Sequence, residues 1–194
     1  MPAKLITPSE AYLQSYLTVC RDCKARGITA YPLHDPDDFE TWRHTIFQSY
    51  ENKHLGIGLK EGRVPSSTFW LVKGGEFIGE GNIRHCLTEA LERYGGHIGY
   101  CIRPDYWRKG YGTLQLRLLL AEAARLGLPR VLITCDEDNL ASARVMEKSG
   151  AVYQDTIGNI IEGIPTRTKR YWADTVPCPL TPPKGKDQKW TSSA

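Results

Sequence analysis

Apolar residues recur at helical spacing in two segments near the start of the chain. The first segment predicts a helix that ends near Gly27, with Thr7 as its N-cap and Glu10 completing a capping box. Its apolar positions are Leu13, Tyr16, Leu17 and Cys20. The second segment opens on Asp35-Pro36-Asp37-Asp38, which is typical of a helix start, and predicts one continuous helix. Its apolar stripe is Phe39, Trp42, Ile46, Phe47 and Tyr50.

Short apolar runs bounded by glycine and proline predict the strands. Residues 4–6 form a first strand, and residues 68–72 and 76–79 flank Lys73-Gly74-Gly75 as the arms of a hairpin, the second arm continuing to His85. Residues 96–102 and 130–135 predict two further strands around a helix at 114–126. A helix from Asp138 or Asn139 to Gly150 then leads to strands at 151–155 and 167–172, joined by a loop that contains Gly and Pro.

Alternation along two of these strands places polar groups together. One face of the second hairpin arm carries Ile78, Glu80, Asn82 and Arg84. On the strand at 96–102, one face carries His97, Gly99 and Cys101, and the other carries Ile98, Tyr100 and Ile102. A row of polar side chains along a strand indicates either solvent or a cleft.

The loop after residue 102 combines two glycines with two basic residues. Gly110 and Gly112 can adopt positive φ and let a ligand approach the backbone, and Arg108 and Lys109 add positive charge beside them. The first amides of the following helix lack partners and carry partial positive charge. The loop therefore predicts a phosphate-binding site.

Several interpretations of this loop compete. A P-loop requires Lys-Ser/Thr after the last glycine, but Thr113-Leu114 follows Gly112. A dinucleotide fingerprint requires a third glycine at the position of Gln115. A pyrophosphate cradle for coenzyme A fits the order of the surrounding elements. An ordinary turn, with glycines for geometry and basic residues for solubility, is the remaining alternative.

Residues 69–153 resemble the GNAT superfamily of acyl-CoA-dependent N-acyltransferases. The resemblance rests on the glycine loop and on Asn139-x-x-Ser142 followed by Glu147-Lys148-Ser149-Gly150, at the family's distance. It implies an α/β (α+β) fold: a mixed, mostly antiparallel sheet of six to seven strands with a splay between strands 4 and 5, flanked by about four helices. One departure is Trp107, which stands at the signature position that holds Arg or Gln in the family.

The resemblance also implies acetyl-CoA as the acyl-donor co-substrate, with no metal. Backbone groups at 100–103 would pair with the pantetheine arm, Asn139 would bond that arm or an ordered water, and Ser142 would lie on the phosphate side. The expected coenzyme-binding residues are Tyr100, Cys101, Ile102, Arg103, Arg108, Lys109, Gly110, Tyr111, Gly112, Thr113, Asn139 and Ser142.

Transfer of an acetyl group to an amine benefits from a general base, because an amine of pKa about 10.4 is almost entirely protonated near pH 7. His97 is the first candidate, since the ordinary pKa of histidine is about 6.5. Glu80 is the second, if burial raises its pKa, and Asn139 is also expected at the catalytic centre. The expected substrate contacts are Arg84, His85 and Trp42. For these residues a structural role is the alternative: a hydrogen-bonded strand residue, an N-cap or core packing.

The position that often carries a tyrosine general acid in this superfamily holds Met146, which cannot donate a proton. Protonation of the leaving thiolate must therefore come from water, from Tyr111 or Tyr153, or from the product ammonium.

Composition changes this picture little. The chain of 194 residues has a formal charge of +3, too small and too evenly spread to indicate nucleic acid, and no apolar run long enough to span a membrane. The first residues also lack a signal-peptide core, so we expect a cytoplasmic protein. The six cysteines are scattered, and the pair Cys20 and Cys23 has no second pair or His cluster with it, so we expect no metal site. We expect one domain at residues 1–175 and an unfolded Pro/Lys/Ser-rich tail at 176–194.

Three functions remain open. The first is an N-acetyltransferase that uses a small-molecule primary amine, by direct attack in a ternary complex. The second acetylates a protein N-terminus or lysine and predicts an open acidic groove. The third is a non-catalytic module that binds acyl-CoA. A homodimer is possible, because edge strands in this superfamily often pair.

Overall fold

The computed structural model describes residues 2–28 and 34–175, and the predicted tail at 176–194 lies outside the described residues. One seven-stranded sheet runs in the order β1-β2-β3-β4-β5-β7-β6. The strands are β1 (Lys4–Ile6), β2 (Ser66–Lys73), β3 (Glu76–Arg84), β4 (Ile98–Tyr100), β5 (Arg130–Asp136), β6 (Val152–Ile161) and β7 (Ile164–Asp174). The α-helices are α1 (Leu13–Ala25), α2 (Phe39–Trp42), α3 (Ile46–Leu55), α4 (Tyr111–Arg125) and α5 (Leu140–Lys148).

The sheet is mixed and mostly antiparallel, as predicted. β4 and β5 pair in parallel with Ile98 opposite Ile133, and no other residue pair joins these two strands within the described ranges. Beyond that point the chain after β4 keeps bonding to β3, since Cys101 donates its N–H to the Glu80 carbonyl at 2.8 Å. β5 pairs with β7 as far as Asp136. The two strands therefore separate into the expected splay.

The core lies on both faces of this sheet. On one face, α1 and the α2–α3 segment pack their apolar stripes on Trp70, whose ring stacks on Tyr16 at a centroid distance of 4.8 Å. On the other face, α4 and α5 bury Leu116, Leu119 and Met146. The full burial of such large apolar side chains contributes about 1.5–3 kcal/mol each.

The predicted capping box at the first helix is wrong. A 3-10 turn at Glu10–Tyr12 precedes α1, Ser9 takes its N-cap position with φ −143° and ψ 144°, and no side chain caps it. The chain that leaves the edge strand β1 thus stays extended through Ser9, which places Thr7 outside the helix.

The predicted second helix is divided. Asp35 does cap its start, accepting a hydrogen bond from the Asp37 N–H at 3.1 Å, but the first turn is 3-10 (Pro36–Asp38). α2 then ends at Trp42, where the Thr45 N–H bonds to the Trp42 carbonyl three residues back. The Trp42 indole is held by the Asp35 carbonyl at 2.7 Å. Both segments keep the apolar stripe in the core.

A β-bulge in β3 changes which of its side chains share a face. Leu71 pairs with Gly79 and Val72 with Phe77, which leaves Ile78 without a partner in the register. Ile78 therefore packs with Leu71 on the α4 side, whereas Glu80 bonds to Trp70 on the opposite face. The prediction that Ile78 shares a face with Glu80 is wrong because the extra residue of a bulge reverses the alternation.

The final strands are longer than predicted. β6 and β7 form a continuous antiparallel hairpin in which Ile161 pairs with Ile164. The turn between them is Glu162-Gly163, with φ of 50° and 81°. The predicted loop between residues 155 and 167 is therefore two strand ends and a two-residue turn.

Candidate active site

The Tyr100 side chain connects β4, at the splay, with the start of α5. The Tyr100 hydroxyl lies 2.9 Å from the Ser142 Oγ in the first turn of α5. Burial raises the pKa of Tyr100 to about 12, against a hydrogen bond from Ser142 that lowers it. The Ser142 N–H in turn donates to Asn139 Oδ1 at 3.0 Å, which makes Asn139 the N-cap of α5. Three of the expected coenzyme-binding residues thus meet at the opening.

The glycine loop leads directly into α4. Gly110 occupies the N-cap position with φ 84°, and no side chain caps the helix. The first amides of α4, beginning with Tyr111, are therefore not covered by a capping group, and Arg108 and Lys109 are exposed beside them. An uncapped helix start with adjacent basic residues suits a phosphate group.

The two glycines serve different purposes. A Cβ at Gly110 would meet nothing within 4 Å, so its positive φ is what requires glycine. A Cβ at Gly112 would lie 3.2 Å from Val145 Cγ2, so Gly112 permits α4 to approach α5 closely. The sequence motif therefore sets both the loop geometry and the spacing of the two helices.

Trp107, at the departure from the family signature, closes this loop. Its indole N–H donates to the Ile102 carbonyl at 2.5 Å. The neighbouring Arg103 is paired with Asp105 at 3.0 Å. Cys101 and Ile102 are both buried, so the groups that residues 101 and 102 can offer a ligand at this point are those of the backbone.

Glu80 lies on the α1–α3 side of the sheet, next to Cys101 of the chain that follows β4. Its Oε2 accepts hydrogen bonds from the Trp70 indole at 3.0 Å and from the Tyr50 hydroxyl at 3.2 Å. Burial raises the pKa of Glu80, and the two hydrogen bonds and Lys53 oppose that rise. A carboxylate with a raised pKa can take a proton near neutral pH.

His97 lies at the closed end of the splay. Its Nδ1 accepts the Leu132 backbone N–H at 2.9 Å, and the His97 backbone N–H donates to the Leu132 carbonyl at 2.7 Å. Burial lowers the pKa of His97, and Arg84 lowers it further, so the ring is neutral at pH 7. With Nδ1 accepting, we assign the ring proton to Nε2, which leaves no lone pair free to take a proton.

His97 and Glu80 do not form one catalytic pair. The Arg84 N–H bonds to the His97 carbonyl, and the Cys101 N–H bonds to the Glu80 carbonyl. His97 therefore lies beside Arg84, which is four residues, or about 13 Å, along β3 from Glu80. They are alternatives for the role of base rather than partners.

The three predicted substrate contacts lie in separate places. Arg84 donates to the carbonyls of Gly95 and Gly96 at 2.9 and 3.0 Å. His85 Nε2 lies 2.8 Å from Ser67 Oγ, which also contacts His54 Nδ1 at 2.8 Å. Trp42 is buried in the aromatic cluster of α1 and α3. Each side chain has a structural contact, and its role toward substrate stays a prediction.

The candidate proton donors are also separated. Met146 is fully buried in the core. The Tyr111 hydroxyl accepts from Lys73 Nζ at 2.7 Å, and the Tyr153 hydroxyl bonds to Thr156 on the outer strand β6. The Tyr100 hydroxyl lies at the splay itself. The sequence analysis gave Tyr100 only a backbone role and missed this hydroxyl. Its one signal in the sequence is the alternation along β4, which places Tyr100 on the face opposite His97 and Cys101.

An open groove lies at the end of β5. It is lined by Asp136, Glu137, Asp138, Pro165, Thr166 and Arg167. Glu137 is paired with Arg167 at 2.6 Å, and Lys169 donates to the Glu137 carbonyl. The groove is therefore acidic but partly neutralised.

No helix at 2–28 or 34–175 has the length and apolarity needed to cross a membrane. In the same ranges no three His, Cys, Asp or Glu side chains are grouped so as to hold a metal ion.

Solved structures with this fold are numerous. The microcin C7 self-immunity acetyltransferase MccE, in complex with acetyl-CoA and AMP, is 16% identical with a TM-score of 0.61, covering 89% of this chain and 92% of that one. An acetyltransferase of Salmonella typhimurium that modifies the N-terminal serine of ribosomal protein L7/L12 is 18% identical with a TM-score of 0.61, covering 89% and 94%. The acetyltransferase yncA of the same organism, with acetyl-CoA, is 14% identical with a TM-score of 0.58, covering 94% and 98%. At these identities the likeness shows the fold alone.

The family follows from sequence. No curated protein matches the chain significantly. The model of the acetyltransferase (GNAT) domain family, however, matches residues 5–152, which include the splay, the glycine loop and the whole of α5. The chain therefore belongs to the GNAT acetyltransferase family.

Proposed function

We propose that this protein transfers an acetyl group from acetyl-CoA to a primary amine of a small molecule, by direct attack in a ternary complex. The observation that carries the proposal is the splay between β4 and β5, which opens onto the uncapped N-terminus of α4. An anionic coenzyme with a long polar arm matches both parts of this opening.

The coenzyme would be held mainly by backbone groups. The amides of Tyr111, Gly112 and Thr113 bind the diphosphate, with Arg108 and Lys109 adding charge. The pantetheine arm lies along residues 100–103, and Asn139 and Ser142 form the opposite wall. A backbone amide of this strand end polarises the thioester carbonyl.

Glu80 is the base that the geometry favours. Its raised pKa brings a carboxylate closer to the pH at which it must take a proton, and a matched general base contributes about 10²–10⁴-fold. Its acceptor capacity is not used up by Trp70 and Tyr50, which bond to Oε2. His97 would first have to release the Leu132 N–H.

Tyr100 is the proposed donor to the leaving thiolate. Because its pKa is raised to about 12, the phenol stays protonated at neutral pH. The proton passes from the Tyr100 hydroxyl to the coenzyme sulfur, and the phenolate that remains takes a proton from solvent through the Ser142 hydroxyl, 2.9 Å away.

A protein N-terminus is the second candidate acceptor, and one observation favours it. The groove at the end of β5 is lined by the carboxylates of Asp136, Glu137 and Asp138, which suit a positively charged N-terminus, and an S. typhimurium protein of similar fold modifies an N-terminal serine. The ion pair of Glu137 with Arg167 reduces the charge of this groove, so the small-molecule amine remains the first proposal.

Release of free CoA thiol from acetyl-CoA, measured against a panel of small amines and of short peptides with free N-termini, tests the proposal. Turnover with small amines supports it, and turnover with peptides alone favours the second acceptor. If acetyl-CoA raises the melting temperature but no amine or peptide yields thiol, the protein is a binding module and the proposal fails.

A further inference from the structure

One buried polar side chain of α4 has no hydrogen-bond partner. Gln115 is 0% exposed. Its side-chain nitrogen and oxygen both lack a partner, and no other buried side chain in the described residues has an unpartnered nitrogen or oxygen. A carboxamide gives up its bonds to water on burial, so leaving both ends unpaired is costly. Such a group in a native protein calls for an explanation, and a bound ligand is one.

Gln115 lies in the second turn of α4, on the side of the helix that is buried against the sheet. It is four residues after Tyr111, or about 6 Å along the helix from the first α4 amide. One turn further on, Leu119 lies over β3, because a Cβ at Gly81 would come within 2.5 Å of Leu119 Cδ1. Gly81 pairs with Tyr100 of β4.

The direction of the side chain follows from this placement. Long helical side chains lean toward the helix N-terminus, and Gln115 precedes Leu119 by one turn on the same face. We therefore expect its carboxamide to point toward the end of β4, where Tyr100 pairs with Gly81. This is the part of the strand that has separated from β5.

The chemistry of a carboxamide matches that of the coenzyme arm. Pantetheine contains two secondary amides, each with one carbonyl acceptor and one N–H donor. Gln115 Nε2 can donate to such a carbonyl while Oε1 accepts from the N–H. The neighbouring positions Leu116 and Leu119 are apolar and fully buried, so Gln115 is the polar exception on this side of the helix.

We propose that Gln115 binds an amide of the pantetheine arm of the acyl donor, with its carboxamide supplying both a donor and an acceptor. This role rests on the proposed function, since it assumes that acyl-CoA occupies the splay. Gln115 thus adds a side-chain contact with the coenzyme to the backbone contacts that the first turn of α4 offers.

The substitution Gln115→Leu, studied in the full-length protein, tests the role. Calorimetry would compare CoA with adenosine 3′,5′-bisphosphate, which has the nucleotide but no pantetheine arm. Leu119→Met, a conservative change one turn further along the same face, is the matched control. We expect Gln115→Leu to weaken CoA binding about 5- to 30-fold, as the loss of one to two hydrogen bonds predicts, and to leave the affinity for the bisphosphate within about 2-fold.

Thermal unfolding without ligand supplies the second readout. Gln115→Leu should unfold at the same temperature as the unmodified protein or higher, because an unpaired buried amide is removed. Unchanged CoA affinity in Gln115→Leu, or an equal loss for both ligands, overturns the role of Gln115. Absence of CoA binding by the unmodified protein overturns the proposed function itself, and this result is seen before any variant is made.

Discussion

The Glu80 carboxylate accepts a hydrogen bond from the Trp70 indole at 3.0 Å across the β2–β3 pair. The contact exists because a bulge at Ile78 turns Glu80 to the face that carries Trp70. It fixes one carboxylate oxygen in an enclosed position beside the chain that follows β4. The raised pKa of Glu80 and its proposed role as base both depend on this arrangement.

Replacement of Glu80 by Gln should remove the base and preserve the fold. An amide oxygen can still accept from Trp70 and Tyr50, so we expect a fall in kcat/KM of about 10²–10⁴-fold with little change in CoA affinity. Steady-state kinetics and calorimetry measure the two effects. Glu61→Gln, the same change on an exposed loop residue, is the control. Activity of Glu80→Gln within 3-fold of the unmodified protein would exclude Glu80 as the base.

Glu80 should also make stability depend on pH. Its pKa is raised from the ordinary value of 4.5 by burial, so the folded protein holds this proton more tightly than the unfolded chain. The stability that this tighter proton binding adds is fully present below about pH 4.5 and is lost as pH rises through the folded-state pKa of Glu80. We expect urea unfolding of Glu80→Gln to show a smaller loss of stability with rising pH over this window than the unmodified protein. Identical pH profiles would mean that the folded-state pKa is not raised.

The substitution His97→Asn separates a structural role from a catalytic one. Asparagine Oδ1 can replace Nδ1 as acceptor of the Leu132 N–H, so we expect stability to be nearly retained and activity to stay within a few-fold. His97→Ala should cost about 1–3 kcal/mol in urea unfolding, because the buried N–H loses its acceptor. A loss of activity in His97→Asn of 100-fold or more, with the fold intact, would instead favour His97 as the base.

Removal of the Tyr100 hydroxyl should slow the chemical step. Tyr100→Phe keeps the ring that packs on the core but loses the proposed proton donor and the contact to Ser142. We expect kcat to fall about 10²-fold or more and the KM for acetyl-CoA to change little. Tyr153→Phe, which loses an exposed hydroxyl on β6, is the control. Equal kcat values for the two variants would leave Tyr100 without a chemical role.

The sequence predicted the fold well wherever local signals and the family pattern agree. The glycine loop and the β2–β3 hairpin are confirmed, because glycine positions and alternating apolar residues determine them locally. The splay between β4 and β5, which the family resemblance implied, is confirmed as well. The bulge at Ile78 was not predictable, since a single extra residue in a strand leaves no mark in the pattern. It changed the environment of Glu80, the residue proposed as the general base.

Partners distant in sequence account for the remaining differences. The acceptor role of His97 depends on Leu132, 35 residues away, and the enclosure of Glu80 depends on Tyr50, 30 residues away. Residue type alone made His97 the better base, because the ordinary pKa of histidine is nearer to neutral. Burial and hydrogen bonding, which the sequence does not display, reverse that preference.

Coenzyme binding at the start of α4 can be tested with two matched glycines. Gly110 and Gly127 have φ of 84° and 81°, and a Cβ at either would meet nothing within 4 Å. A valine therefore strains the backbone equally at both positions, but only Gly110 adjoins the uncapped amides, since Gly127 follows the far end of the helix. Thermal unfolding of the two variants checks that the strain is comparable.

The decisive measurement is calorimetric titration of CoA into the unmodified protein, Gly110→Val and Gly127→Val. We expect the unmodified protein and Gly127→Val to bind CoA with affinities within about 3-fold of each other. Gly110→Val should bind at least about 10-fold more weakly, a difference of about 1.4 kcal/mol. No detectable CoA binding by the unmodified protein, or equal affinities of the two valine variants, would contradict a coenzyme site at the N-terminus of α4.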